Sequence, residues 1–108
     1  MAEVAKILGQ ALLTATAAAV YTVATSTTVR VSSILIHNND SAERIATIHY
    51  VQSGASATNT NKVYTIALKA GETAKLVDEG FFGAGDSIRA LADAASQVNI
   101  TISGIEIK

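Results

Sequence analysis

The chain lacks cysteine and tryptophan altogether, holds one methionine, and has only three tyrosines and two phenylalanines for rings. Without cysteine there are no disulfides, no thiolate chemistry and no cysteine-based zinc sites, a usage that suits synthesis inside a cell. Large aromatics normally supply much of a small core's burial. A core of Val, Ile, Leu and Ala is thinner, and burial against neighbouring copies would compensate. Charge of one sign is also missing: eight basic and nine acidic residues leave a formal −1. No run of Lys or Arg tracks a phosphate backbone, so nucleic acid is not an expected partner. Nor does any stretch approach the roughly 18 uninterrupted apolar residues of a membrane span. Met1 to Val20 is apolar and alanine-rich, but Glu3, Lys6 and Gln10 interrupt it and no basic leader precedes it. It does not read as a signal peptide, and the expectation is a soluble, unprocessed chain. Its 108 residues make one domain, residues 1–108, with one modest core.

What is present is strand text. β-Branched residues dominate Val20 to Val23 and Thr27 to Val31, and the apolar run Ser33 to His37 ends in Asn38-Asn39-Asp40-Ser41, strong turn chemistry. Ile45 to Val51 is a strand, and the polar stretch Ser53 to Asn61 is a loop, mobile or contact-making. Val63 to Leu68 alternates, Ala70-Gly71-Glu72 turns the chain into Thr73 to Val77, and Glu79 to Asp86 is a glycine-rich segment with two adjacent rings. Ser87 to Ala92 and Val98 to Ile107 complete the set. In the last strand Val98, Ile100 and Ile102 have one parity and Ile105 and Ile107 the other, which predicts a bulge at Ser103-Gly104. Residues 1–13 are ambiguous: Val4, Ile7, Leu8, Ala11, Leu12 and Ala15 fit helical spacing as well as a first strand. The fold class expected is all-β, an antiparallel sandwich of about eight strands, jelly-roll or Ig-like, with an extended N-terminal arm.

The polar clusters do not carry the patterns that catalysis or ligand binding needs. His37 and His49 do not come with the three or four convergent ligands a metal needs, and satisfied imidazoles on a sheet are the preferred reading. Asn38 to Ser41 with Glu43 is oxygen-rich but lacks the ordered spacing of a calcium loop. Gly80, Gly83 and Gly85 lack the lysine and the βαβ setting of a phosphate loop. No serine sits in a nucleophile elbow. The expectation is no enzyme, no cofactor and no metal.

Several segments together resemble a family of small phage virion proteins. Ala5 to Gln10 is similar to its "AKxLGQ" start, Val20 to Val23 to its "LYTVP" strand, and Val31 to Asn38 to its "VSSlxvcN" strand and turn. Leu68 to Thr73, Gly85 to Ile88 and Val98 to Gly104 resemble patterns of related phage proteins. Where the family usually has proline after the "YTV" strand, this chain has Ala24. The resemblance implies a compact β-sandwich in the virion, made in the host cytoplasm, and favours strand over helix for Lys6 to Leu13.

The thin core and apolar arm bias the expected role toward a capsid decoration (cement) protein. Its partners would be copies of itself, a trimer favoured, and the major capsid protein. A tail, baseplate or fibre-associated component is the alternative, with tail proteins as partners; a sugar-binding module for host recognition is a third reading. The candidate interface residues are Ile7, Leu8, Leu12, Leu13, Phe81 and Phe82. If the two phenylalanines lie on a strand, they point to opposite faces.

Overall fold

A computed structural model describes residues Ala2 to Lys108; Met1, the first residue of the expected arm, lies outside the described residues. Eight strands form in chain order: β1 (Glu3–Leu12), β2 (Ala18–Thr22), β3 (Thr28–Asn38), β4 (Arg44–Val51), β5 (Lys62–Leu68), β6 (Thr73–Phe82), β7 (Ser87–Ala92) and β8 (Val98–Ile107). They build two four-stranded sheets, one in the order β1-β8-β3-β6 and one in the order β2-β7-β4-β5. Every pairing is antiparallel. This strand order, in which the chain passes repeatedly from one sheet to the other, is the jelly roll of the two topologies expected. Among the described residues all regular structure is strand, and no helix is long and apolar enough to cross a membrane.

Alternation explains which side chains meet between the sheets. From the first sheet come Val29, Val31, Ile34 and Ile36 of β3 and Val98, Ile100 and Ile102 of β8, all fully buried. From the second come Ile48, Ile88 and Leu68 with three alanines, Ala46, Ala90 and Ala92. Branched side chains on one layer and small ones on the other let the sheets approach closely. Each large aliphatic contributes about 1.5–3 kcal/mol on burial. Leu13, Val23 and Phe82 close the ends of this cluster.

The N-terminal segment is not a free arm. Strand β1 runs beside β8 from Glu3↔Ile107 to Leu12↔Asn99, and Ala2 and Lys108 exchange backbone bonds of 3.0 and 2.9 Å. Alanine's helical preference loses here because the edge of β8 offers a full row of backbone donors and acceptors that need partners.

The bulge expected in β8 lies instead on its two neighbours. Along β8 burial alternates without a break from Val98 to Ile107, so Gly104 and Glu106 face inward and Ile105 and Ile107 outward. The extra residues are Leu8 in β1 and Ser32 in β3, inserted opposite Ile102–Ser103 and Ser103–Gly104 respectively. Gly104 is needed for close approach: a Cβ there would stand 2.3 Å from the Arg30 carbonyl oxygen and 3.0 Å from the Leu8 side chain. The isoleucines after Gly104 are therefore surface residues, and their apparent parity change is a change of side.

The two segments between these strands are also placed. Gly80 to Phe82, part of the glycine-rich segment Glu79 to Asp86, belongs to β6. Ser53 to Asn61 is tied down: Ser53 N–H donates to Asp86 Oδ1 at 3.0 Å, and Asn61 Nδ2 donates to the Ser56 carbonyl at 2.8 Å.

Candidate functional site

Two carboxylates, one buried and one half-buried, close the long edges of the sandwich. On inward-facing Glu106 of β8, 7 % exposed, the Tyr21 hydroxyl of β2 donates at 3.0 Å and Lys6 Nζ of β1 approaches to 3.1 Å. The lysine and then the tyrosine bond hold the Glu106 carboxyl below its usual range. Burial, reinforced by the carboxylate, pushes the Tyr21 hydroxyl up to about 12. At the other edge a bulge in β6, with Asp78 at φ 54 and Gly80 at φ 100, brings Glu79 toward the second sheet. Its Oε1 accepts from Tyr50 at 2.5 Å and from Tyr64 at 2.8 Å. Burial first and Glu79 second push the Tyr50 hydroxyl up, whereas for Tyr64 the Glu79 bond leads. Sequence reading missed all three tyrosine–carboxylate pairs, because the partners stand 85 residues apart at one edge and 29 and 15 apart at the other.

The polar clusters examined for chemistry are consumed in holding turns. Asn38 is fully buried; its Nδ2 lies between the carbonyls of Ala42, Leu68 and Lys69 at 2.8–3.2 Å, and its Oδ1 accepts from Asp40 N–H. Arg44 donates to Asp40, which lowers the Asp40 carboxyl. His37 of β3 pairs with Thr73 Oγ1 at 2.7 Å. On β4, in the other sheet, His49 meets Asn61 Oδ1 at 2.9 Å. That Asn61 oxygen also accepts from Thr58 N–H, so the His49 Nδ1 carries the hydrogen. Among the described residues no group of three or more His, Cys, Asp or Glu lies together where it could hold a metal ion.

Two open clefts flank Tyr50. One, of about 350 Å³, lies between Tyr50, Gln52, Glu79 and Phe81; the other, of about 600 Å³, lies under the 53–61 loop beside Gln52, Thr60 and Val63. Neither is the enclosed apolar pocket typical of a small-molecule site.

The six candidate interface residues part company. Leu13 is 3 % exposed and belongs to the core; its N–H donates to Val98 and its carbonyl accepts from Ser96, so it offers no outer surface. Leu8 is half-buried at the β1 bulge and packs on the core. Phe82 is 8 % exposed and stands edge-on to Tyr50, ring centres 5.0 Å apart. Ile7 and Leu12 are exposed on β1, and Phe81 is the most exposed of the large apolar side chains at 71 %. Sequence reading missed Leu35 and Val77, also exposed. Leu35 was hidden inside the unbroken run Ile34-Leu35-Ile36, whose two isoleucines face inward. Ile7, Leu12, Leu35, Val77 and Phe81, with half-buried Ile105, all lie on the outer face of the first sheet. On the second sheet's outer face the exposed large apolar side chains are Ile45 and Val63. The apolar surface is thus concentrated on one side.

No protein family model and no curated protein matches the chain. Among solved structures it is similar to one from Bacillus endospore appendages, described as a novel family of disulfide-linked pili. The TM-score is 0.58 at 19 % identity, over 99 % of this chain and 87 % of that one. At this identity the likeness bears on the fold alone.

Proposed function

We propose that this chain is a phage virion structural protein: a capsid decoration protein that binds the head shell as a symmetric oligomer, a trimer favoured, with no catalytic role. The observation that carries the reading is the outer face of the first sheet, where Ile7, Leu35, Val77 and Phe81 stand exposed on three of its four strands, at both margins. Large apolar side chains left exposed on one face are a mark of protein–protein contact. The virion setting rests on the "AKxLGQ", "YTV" and "VSS" segments and their order. A thin aliphatic core gains stability when copies or partners cover such a face. The pilus protein of similar fold supports an assembling subunit in general terms. That protein is described as disulfide-linked; this chain has no cysteine, so any assembly it makes does not use disulfides.

The tail or fibre reading remains the second proposal, favoured by the same likeness to a subunit of an extended appendage. Gold-labelled antibody on virions of the encoding phage separates the two. Regular labelling of the head is the result expected. Labelling confined to the tail replaces the first reading with the second, and absence of the chain from purified virions by mass spectrometry overturns both.

A further inference from the structure

The outer face of the first sheet reads in rows, because the registers set residues of all four strands at common heights. Ala5 and Phe81 end one row, with Ile105 and Arg30 between them; Ile7 and Val77 end the next, with Ser103 and Ser33 between them. Apolar side chains thus stand at the same heights on both margins, β1 and β6. The middle of the second row is small.

A rotation axis parallel to the strands preserves height. It brings the β1 margin of one copy against the β6 margin of the next. Ile7 then meets Val77, Ala5 meets Phe81, and Gln10 lies beside Lys75, whose row it shares. We propose that this face joins copies of the chain into a closed cyclic oligomer whose axis runs along the strands of the first sheet, with Ile7 of one copy packed on Val77 of its neighbour. The proposal rests on the structural role argued above and names the contact that role uses.

Three observations point to a second copy as the occupant. The face is neutral: Glu3 and Asp78 offset Arg30 and Lys75, and Arg30 and Asp78 already pair at 3.4 Å, so the margins of two copies meet without net repulsion. The molecule is a slab of 45 × 26 × 19 Å, and four strands of ten residues present a face of roughly 600 Å². The two neighbours in a ring share it, about 300 Å² each, so it is the two contacts of every copy taken together that approach the roughly 800 Å² of a standard partner surface. The two margins are also different surfaces at matching heights, which is what a head-to-tail contact that closes into a ring requires.

Because the chain has no cysteine, a chain carrying both Ile7→Cys and Val77→Cys holds only the thiols under test. Oxidised with diamide, it should give covalent species up to the size of the ring and none above it. A control chain with Ile45→Cys and Val77→Cys, one site on each sheet, should give no such series. In parallel, Val77→Asp should convert the oligomer to a monomer by sedimentation equilibrium with an unchanged circular dichroism spectrum, while Ile45→Asp should leave its mass alone. Equal cross-linking in both cysteine pairs, or a folded Val77→Asp chain of wild-type mass, overturns the contact. A monomeric wild-type chain present in virions overturns it too and leaves the structural role standing. A ring of this geometry absent from virions leaves the contact and overturns the role.

Discussion

Phe81 and Phe82 are neighbours in sequence and opposites in environment, one 71 % and the other 8 % exposed. Phe82→Ala removes a ring packed on Tyr50 and should cost about 3–5 kcal/mol, read from urea unfolding. Phe81→Ala should change the stability of the isolated chain by no more than about 0.5 kcal/mol; a Val77→Asp background, which removes assembly, isolates that comparison. Equal losses would place both rings inside. Gly104→Ala forces a methyl against the Arg30 carbonyl and should destabilise by about 1–3 kcal/mol, through strand separation and not through a changed turn. At Glu106 the folded carboxyl titrates below its ordinary value. The stability it adds is therefore complete above the unfolded value near 4.5 and is lost as pH falls through the lower folded one. Tyr21 works in the other direction: its folded value is raised from 10.0 to about 12, so its contribution is complete below 10 and fades as pH rises through the folded value. Glu106→Gln should flatten the acid limb of the stability curve and relieve part of the Tyr21 shift. An unchanged acid limb would show that the carboxylate is not ionised and paired as described.

Strands were largely legible, because a half-buried sheet writes its alternation into the chain: Val98, Ile100 and Ile102 announce their inward face without help. What misled was the assumption that apolar means inward. Ile105 and Ile107 are outward, and treating them as core residues moved the bulge from β1 and β3 into β8. Isoleucines turned outward on one sheet face are themselves the signal of a contact surface. The N-terminal strand was illegible for a different reason. Its alanines and leucines satisfy helical spacing, and only the open edge of β8, nearly a hundred residues away, selects the strand. Strand β1 also carries Lys6, one of the groups that closes over Glu106. Removing Met1 to Gln10 should therefore lower the melting temperature and abolish the oligomer together. An unchanged melting temperature and mass would contradict the placement of β1 in the sheet and in the contact.

At the scale of the molecule, the sandwich followed from composition and strand spacing, whereas the jelly-roll order did not. Pairing of β1 with β8 and of β3 with β6 is fixed by which edges and faces remain uncovered, and those are properties of the assembled core. The two Glu–Tyr closures belong to the same level, since each joins residues from both sheets. On the contact proposed above, this slab is incomplete alone, and the outer face of its first sheet is covered by further copies of itself. Sedimentation equilibrium of the wild-type chain over a hundredfold concentration range tests this most directly. The account predicts a closed species of constant mass, three times the 11.1 kDa of the chain for the favoured trimer. A mass of 11.1 kDa at every concentration would contradict it.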